Sequence, residues 1–347
     1  MKTIFDLVDA ESIGTYYNTV TSEEIPYLGE TLFPSKKQKG LTLKWIKGSK
    51  GLPVALMPSA FDAKATLRDR IGFKDVKTKM PFFREAMSIG EEERQELLEL
   101  MASTNEQYYM PLINNIYDDA TTLVKGALVN PERMRMQLLS TGKILITANR
   151  QNYDYDYQMP DNHKVTLTGD DKWSNPDADI VGDIQEIQQT MDDDRGVQLT
   201  KAICTRKTWG YIMKNKAIRL DMNPLGGQNI IMTDALMRQY LLNKLGISIS
   251  VYNKKYELQD GSSHLYYPDD YITFIPDGTL GNTYFGTTPE EADLMSGATV
   301  AQVNIVETGV AITTIKEPHP VNVQTIVSEI TLPSFESIDN IYIVKVA

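Results

Sequence analysis

The sequence has little of three things: cysteine, histidine and long apolar stretches. A single cysteine among 347 residues, Cys204, excludes an internal disulfide framework and fits a reducing compartment. The apolar runs of the sequence, such as residues 144–146, are far shorter than the roughly 20 residues that a membrane-spanning helix needs. The N-terminal stretch MKTIFDLVDAESIG carries acidic residues and lacks an apolar core, so we expect no signal peptide. Ordinary apolar (41%) and charged (23%) fractions predict a globular chain.

The residues that usually carry catalysis are also sparse. His163, His264 and His319 lie far apart in the sequence, and no cysteine and histidine spacing fits a zinc site. The sequence contains no GxSxG elbow, no Walker A loop and no GxGxxG fingerprint. Cys204 is predicted to be a buried, inert thiol instead of a nucleophile. We therefore predict no catalytic residue, no cofactor and no metal site.

Two aspartate pairs resemble the start of a calcium-binding loop, namely Asp177 with Asp179 and Asp192 with Asp194. Neither pair has the glycine and the twelfth-position glutamate in register, so we do not predict a calcium site. Trp173 is interpreted as a packing anchor. Three alternating tyrosines are interpreted as marking strand faces and not as a platform for stacking bases: Tyr153, Tyr155 and Tyr157.

The charge is strongly acidic and unevenly distributed. Lysine and arginine number 35 against 46 acidic residues, a net charge of −11. An acidic chain binds nucleic acid poorly, because affinity for phosphate requires cations. The charge is explained by solubility or, alternatively, by a container wall that must not adhere to packaged DNA.

Residues 31–61 contain no aspartate or glutamate, but they contain six lysines. Acidic residues recur outside this window, for example at Glu91, Glu92 and Glu93. A basic arm on an acidic body suggests that the arm lies on another copy of the body, the alternative being a solvated lysine-rich hairpin. The six lysines are Lys36, Lys37, Lys39, Lys44, Lys47 and Lys50.

Periodicity predicts an α+β chain of mixed order. A strand at residues 41–45 and a return strand at residues 54–57 predict a long hairpin. Helical signals extend over residues 88–139, starting at a capping box of Ser88 and Glu91 and ending at Gly142. Pro111 and Pro131 are expected to break or kink this helical run.

Downstream, strands and helices alternate without an internal repeat. Strands are predicted within residues 143–170, and a buried strand at residues 271–275. Helices are predicted at residues 183–191, 207–216 and 233–245. The C-terminal part of the chain is predicted to consist of alternating strands.

The order of several stretches resembles one protein family. These stretches are MPFFREAMSIG (residues 80–90), VTLTGDDKWSNPDADIVGDIQ (165–185), YITFIPDGTLGNTYFGTTPEE (271–291) and the C-terminal EPHPVNVQTIVSEITLPSFESIDNIYIVKVA. In this order they resemble the major capsid protein of lambda-type tailed bacteriophages, the phage major capsid protein E family. The resemblance covers nearly the whole chain.

The resemblance implies an α+β fold of the Hong Kong 97 type with four parts. Residues 1–34 would form an N-terminal arm, and residues 35–80 an extended loop that reaches over a neighbouring subunit. Residues 81–142 and 306–347 would form a discontinuous peripheral domain with a long spine helix. Residues 143–305 would form the axial domain, which meets its copies around five- and six-fold axes.

The resemblance also implies a function: self-assembly into an icosahedral shell of hexamers and pentamers around phage double-stranded DNA, without sequence-specific binding and without a membrane. It implies the virion capsid as location, assembly in the bacterial host cytoplasm, and a portal protein as partner; a decoration protein stays open. No long charged helical segment precedes residues 1–10, so we expect a separate scaffolding protein. Candidate contacts between subunits are Lys36, Lys37, Lys39, Lys44, Trp45, Lys47, Lys50, Glu91, Glu92 and Glu93.

Two alternatives stay open on the sequence. An encapsulin-like compartment would use the same fold to enclose cargo enzymes. A soluble α+β enzyme or ligand-binding protein would belong to a different class and would form a small oligomer instead of a large particle.

Overall fold

The computed structural model divides the chain into two compact units. Unit 1 comprises Met1–Lys44, Lys77–Met134 and Asn282–Ser334, and unit 2 comprises Trp45–Val76, Arg135–Gly281 and Phe335–Ala347. The residues that the structure describes are 8–21, 26–47, 74–102, 106–148, 151–224, 231–297, 301–319 and 321–347.

The described residues form helices and strands in mixed order. The helices are α1 (Ala10–Thr21), α2 (Leu28–Leu32), α3 (Glu91–Ala102), α4 (Glu106–Thr141), α5 (Ile180–Arg195), α6 (Arg206–Lys214), α7 (Lys216–Met222), α8 (Asp234–Leu245) and α9 (Pro289–Ser296). The strands are β1 (Ser35–Lys37), β2 (Thr42–Lys47), β3 (Lys74–Lys79), β4 (Phe82–Ile89), β5 (Lys143–Ala148), β6 (Gln151–Asp156), β7 (Lys164–Thr166), β8 (Lys201–Cys204), β9 (Ser248–Val251), β10 (Lys255–Glu257), β11 (Ser263–Leu265), β12 (Tyr271–Ile275), β13 (Asn282–Phe285), β14 (Gln302–Val306), β15 (Val310–Pro318), β16 (Val321–Ser334) and β17 (Tyr342–Lys345).

Unit 1 is organised around the 14-residue strand β16. Its sheet has the order β1-β13-β16-β15-β14, and β4 also pairs with β16. Alternate residues Val323 and Val327 of β16 are buried in one apolar cluster with Ile113 and Val124 of α4. The alternation buries one face of the strand against the helix, as expected for period-two patterning.

Unit 2 contains a five-stranded sheet of order β7-β17-β12-β8-β9. The central strand β12 is antiparallel to both β17 and β8. Its residues Ile272 and Phe274 are buried in an apolar cluster that also contains Trp173 and Trp209. Four of the five residues of YITFI are buried, the polar Thr273 among them, which agrees with the buried strand predicted at residues 271–275.

Several predicted elements are confirmed. The helix predicted at 183–191 is part of α5, and the one predicted at 233–245 corresponds to α8 with Thr233 as its N-cap. Gly142 follows α4 with a positive φ of 72°. The predicted helix 207–216 is interrupted at Asn215, because the Asn215 side chain caps α7 by accepting from the Ile218 amide at 2.9 Å.

The structure corrects two predictions about the helical region. Ser88 does not cap a helix, because it lies in strand β4 and pairs with Gln324 of β16. Instead, the Gly90 amide donates to the Glu93 carboxylate at 3.1 Å at the start of α3. The break expected at Pro111 or Pro131 does not occur, because α4 is continuous over 36 residues, and the alternative of a kink stays a prediction.

The predicted hairpin after residue 41 is confirmed only in its first strand. Strand β2 pairs with β3 in a two-stranded sheet. The predicted return strand at residues 54–57 lies outside the described residues.

Candidate functional site

The base of the predicted extended loop joins the sheet of unit 1. Strand β1 pairs in parallel with β13, and the register places Lys37 opposite Phe285. The chain then continues with a hydrogen bond from the Gln38 amide to the Phe285 carbonyl at 2.8 Å. On the returning side, the Met80 amide donates to the Leu41 carbonyl at 2.9 Å. Both ends of the segment are therefore held by backbone hydrogen bonds.

The described lysines of the basic stretch are in two different environments. Lys37 Nζ contacts Glu291 Oε2 of its own chain at 2.5 Å and the Gly286 carbonyl at 3.1 Å. Lys36, Lys39 and Lys44 are exposed, as Lys37 is, but within the described residues they make no ion pair. Lys47 ends β2, but its side chain is outside what the structure describes, as is the whole of Lys50. The predicted contact of these lysines with another subunit stays a prediction.

Trp45 is buried within its own chain. Only 6% of it is exposed, and its ring stacks on Tyr157 with centroids 5.4 Å apart. Burial raises the pKa of Tyr157 well above its usual value. Trp45 therefore packs strand β2 against Tyr157 of its own chain. Its predicted contact with another subunit stays a prediction.

The predicted acidic counterpart lies at the start of α3. Glu91, Glu92 and Glu93 occupy its first turn and are exposed. Carboxylates in this position are stabilised by the positive end of the helix dipole. A cavity of about 540 Å³ beside this turn is also lined by Asp118 and Asp119 of α4. The fold thus extends the acidic surface with two residues that the sequence did not connect to it.

The residues considered for catalysis have structural roles. Cys204 is fully buried in β8, and burial raises the pKa of its thiol to about 12, so its predicted burial is confirmed. His163 is buried, with Nε2 2.8 Å from Asp194 Oδ2. His264 is exposed and hydrogen-bonds Ser262 at 2.9 Å. A thiol with so high a pKa is not a nucleophile at neutral pH.

One of the two aspartate pairs that resembled a calcium loop, Asp177 with Asp179, organises local structure. The Asp179 carboxylate caps α5 by accepting from the Gly182 amide at 2.9 Å, and Asp177 pairs with Lys216 at 2.8 Å. Within the described ranges, no cluster of three or more histidine, cysteine, aspartate or glutamate residues is arranged to hold a metal. Likewise, none of the described helices is long and apolar enough to cross a membrane.

Trp173 is the packing anchor that the sequence predicted. It is 1% exposed, and its indole Nε1 donates to Asp183 Oδ2 at 2.7 Å. Burial raises the pKa of Asp183 despite this hydrogen bond. The stretch around Trp173 therefore closes the apolar core of unit 2.

Sequence reasoning missed the role of GTTPEE, residues 286–291. Thr288 is the N-cap of α9, Pro289 follows it, and Glu291 donates its amide to Thr288 Oγ1 at 3.2 Å. The pattern of threonine, proline and a glutamate three positions after the cap is a helix-start signal that could have been recognised. The partners of the two glutamates, Arg84 and Lys37, are distant in sequence and had no such signal.

The chain is similar to known proteins over nearly its whole length. The sequence model described as phage major capsid protein E matches residues 15–346. A search of curated proteins finds no match. Similar solved structures include a putative capsid protein of a prophage of E. coli CFT073, with a TM-score of 0.53, 14% identity and coverage of 79% of this chain and 80% of that chain. A phage-related protein of Bordetella bronchiseptica RB50 has a TM-score of 0.55 and 12% identity, over 95% of this chain and 96% of that chain.

These similarities confirm the predicted fold class, an α+β fold of the Hong Kong 97 capsid type. At identities this low, the structural matches establish the fold, and the family rests on the sequence match. Copies of such a protein form the capsid shell of the virion. Because the match extends over nearly all of its residues, the chain belongs to the phage major capsid protein E family.

Proposed function

We propose that this protein is the major head protein of a tailed phage, whose copies assemble as hexamers and pentamers into an icosahedral shell around double-stranded DNA. The observation that carries the proposal is the family match over residues 15–346. In this role the protein acts through its interfaces and catalyses no reaction. Obligate interfaces on the order of 2,000–5,000 Å² between neighbours make such a shell rigid.

The four parts that the family resemblance implies divide the work of assembly. In the proposal, residues 1–34 are an arm, 35–80 an extended loop over a neighbour, 81–142 with 306–347 a peripheral domain, and 143–305 an axial domain. The hydrogen bonds at the base of the loop support its proposed role of contacting a neighbour. Strand β1 pairs with β13 at the start of the loop, and the Met80 amide donates to the Leu41 carbonyl where the chain returns.

The electrostatic part of the proposal places the basic stretch on the acidic start of α3 in a neighbouring copy. Exposed Lys36, Lys39 and Lys44 supply the positive side in the described structure. An exposed ion pair contributes only ~0.2–1 kcal/mol, so the effect on register and assembly rate arises from many copies.

The packaged nucleic acid is not bound by sequence in this proposal. The net charge of −11 disfavours phosphate binding, so DNA can be packed against the wall without adhering to it. A separate scaffolding protein and a portal protein are the expected partners during assembly in the bacterial cytoplasm, and a decoration protein is left open.

Particle formation tests the proposal directly. The full chain is expressed in bacteria alone and together with the neighbouring head genes of its source, then analysed by sedimentation and negative-stain microscopy. We expect large, closed shells that contain the chain as their main protein. A small oligomer under both conditions would contradict a shell function, and shells filled with a cargo enzyme would indicate a compartment.

Charge reversal tests the electrostatic contact. Lys39→Glu with Lys44→Glu is expected to slow assembly more than the matched pair Lys214→Glu with Lys255→Glu, which are exposed lysines of unit 2. Light scattering during assembly gives the rate, and added salt should reduce the wild-type rate because the screening length falls to roughly 3 Å at 1 M. Equal effects of both double variants would contradict the electrostatic contact and support the alternative, in which the basic stretch is a solvated hairpin.

A further inference from the structure

Two consecutive glutamates at the start of α9 have side chains that are mostly buried. Glu290 and Glu291 are 13% and 12% exposed. Both lie in the first turn of α9, whose N-cap is Thr288. Carboxylates here are stabilised by the helix dipole, and the cap keeps their positions fixed.

Glu291 holds the chain where it enters the 38–80 segment. Its Oε2 is 2.5 Å from Lys37 Nζ, and Lys37 also donates to the Gly286 carbonyl at 3.1 Å. Lys37 is the last residue of β1, so this contact lies directly before the segment. The Lys37 ammonium is thus bound by the Glu291 carboxylate of α9 and by the carbonyl of Gly286, which lies just before α9.

Glu290 holds the chain just after the segment returns. Its Oε1 is 2.5 Å from Arg84 Nη2, and its Oε2 accepts from Ser328 Oγ at 2.9 Å. Arg84 belongs to β4, which begins two residues after Met80, and its guanidinium also lies 4.7 Å from the centre of the Phe82 ring. Ser328 belongs to β16, so Glu290 links the returning chain to the central strand of the sheet.

Two glycines permit the close packing around these ion pairs. A Cβ at Gly286 would be 2.8 Å from Met80 Cε and 2.9 Å from the Gly40 carbonyl oxygen, so this glycine lets both ends of the segment come together. A Cβ at Gly309 would be 2.7 Å from Phe285 Cβ and 3.0 Å from Lys37 Nζ. Larger residues at either position would displace the chain next to Lys37.

We infer that Glu290 and Glu291 form a two-sided clamp that fixes the chain at Lys37, before the 38–80 segment, and at Arg84, after it, and that they are positioning residues for shell assembly. The inference rests on the proposed function, in which this segment reaches a neighbouring subunit. It separates Lys37 from the other lysines of the basic stretch, because Lys37 acts within its own subunit.

The physical reason for a clamp is preorganisation. A segment that must contact a neighbour loses conformational freedom on docking, and this loss weakens association. Fixing Lys37 and Arg84 reduces the number of conformations open to the described residues next to them before docking. Charge-assisted hydrogen bonds suit this task because they are short and directional.

Amide hydrogen exchange of the full chain in its unassembled form tests the clamp itself. We expect Glu291→Gln to raise exchange in residues 38–44 and Glu290→Gln to raise it in residues 77–84, each by about twofold to fivefold, because the side chains of Lys37 and Arg84 are 34% and 45% exposed and solvent screens the pairs. Residues of β15 serve as the internal reference and should be unchanged. Lys37→Met should reproduce Glu291→Gln, whereas Lys36→Met, the adjacent exposed lysine, should have no effect.

Assembly yield tests the role of the clamp in the shell. The double variant Glu290→Gln with Glu291→Gln should form shells at a rate about tenfold or more below wild type. Lys37→Arg, which keeps the charge, should restore most of the rate lost in Lys37→Met. Asp293→Asn, an exposed carboxylate on the same helix, should assemble normally.

The outcomes separate the clamp from the proposed function. Unchanged exchange in Glu290→Gln and in Glu291→Gln would overturn the clamp, whether or not wild type assembles. Raised exchange with undiminished assembly would overturn its role as an assembly device. A wild-type chain that forms no shells would overturn the proposed function, and the exchange measurement would still decide the clamp. If exchange rises throughout β15 as well, the glutamates stabilise the whole sheet and the inference fails.

Discussion

The two units of this capsid protein differ in how deeply their described carboxylates are buried. Unit 2 buries large apolar side chains against its sheet, with Trp173, Trp209 and Phe274 among the most deeply buried. Unit 1 also has an apolar cluster, but its sheet carries carboxylates that are fully or mostly buried. Hydrophobic burial is non-directional, whereas charge-assisted hydrogen bonds fix geometry. Ion pairs also occur in unit 2, but its most buried described carboxylate, Asp339, is 8% exposed, whereas Glu132 and Glu329 of unit 1 are fully buried.

The buried carboxylates of unit 1 accept hydrogen bonds within their own unit. Glu132 of α4 is fully buried and accepts from the Gly29 amide at 3.1 Å, which ties α2 to the long helix. Glu329 of β16 is fully buried and accepts from the Asn130 amide group at 3.1 Å. Buried carboxylates are costly unless they are hydrogen-bonded, so a fold that keeps them gains specificity of arrangement.

Removing the anchor of unit 2 should give the largest loss of stability. Trp173→Ala deletes a side chain that is 1% exposed and leaves a cavity, so the free energy of unfolding should fall by about 3–5 kcal/mol. Urea denaturation of the unassembled chain, followed by amide exchange in unit 2, measures the change. Leu242→Ala on the exposed face of α8, with 55% of the leucine accessible, is the control and should change stability by less than about 0.5 kcal/mol. A loss of similar size in both variants would show that unit 2 does not depend on its apolar core.

A methyl group should have opposite effects at two glycines of unit 1. Gly286→Ala would place Cβ against Ile330, Met80 and a backbone oxygen, so overpacking should destabilise unit 1 by about 1–3 kcal/mol. Gly126→Ala, on an exposed part of α4 with no atom within 4 Å of the added Cβ, should stabilise the helix by about 0.5–1 kcal/mol. Thermal unfolding and exchange in β16 measure both. If Gly286→Ala left the stability unchanged, the residues around position 286 would have moved to accommodate the methyl group. Close packing at the loop base would then not distinguish unit 1 from unit 2.

Local signals in the sequence predicted the elements that are defined by nearby residues. The apolar stripe of α4, the Gly142 stop after it and the apolar strand β12 all follow from spacing within a few residues. The interruption expected at Pro131 was wrong because tertiary packing of the long helix outweighs the single backbone hydrogen bond that proline removes.

The missed features depend on distant pairing. Strand β4 contains FREAMSI, which has few β-branched residues, and it is a strand because eight of its residues pair with β16. Glu291 and Lys37 are separated by 254 residues, so no spacing rule connects them. Lys37 also lies within a basic stretch whose charge pattern suggested an external partner. Charge composition identified the basic stretch. The fold shows that one of its described lysines, Lys37, has a partner in its own chain.

The smallest expected effect concerns a polar contact at the edge of the apolar unit 2. Asp194, near the end of α5, is 2.8 Å from His163 Nε2, accepts from Asn162 at 3.2 Å and lies 3.8 Å from Arg195 Nε. Arg195 is in turn 3.5 Å from Asp339. The hydrogen bond from His163, followed by the one from Asn162 and the nearby positive charge, lowers the pKa of Asp194 below its usual value.

A lowered carboxyl pKa stabilises the folded state only while the group is ionised. The contribution is therefore present above the unfolded pKa of about 3.9 and is lost as the pH falls through the lower folded value. Asp194→Asn should reduce stability slightly at neutral pH, and its difference from wild type should shrink below about pH 4. The effect should be small because 43% of the Asp194 side chain is accessible to solvent, which screens the charge.

Urea denaturation of Asp194→Asn and Asp193→Asn between pH 3 and pH 7 measures this contribution, since Asp193 is an exposed neighbour on the same helix. Only the Asp194 variant should show a pH-dependent difference from wild type. If its loss instead matched that of Trp173→Ala, unit 2 would rely on directional polar contacts as much as unit 1 does. The contrast between the two units would then reflect where their charges lie and not how each unit is held together.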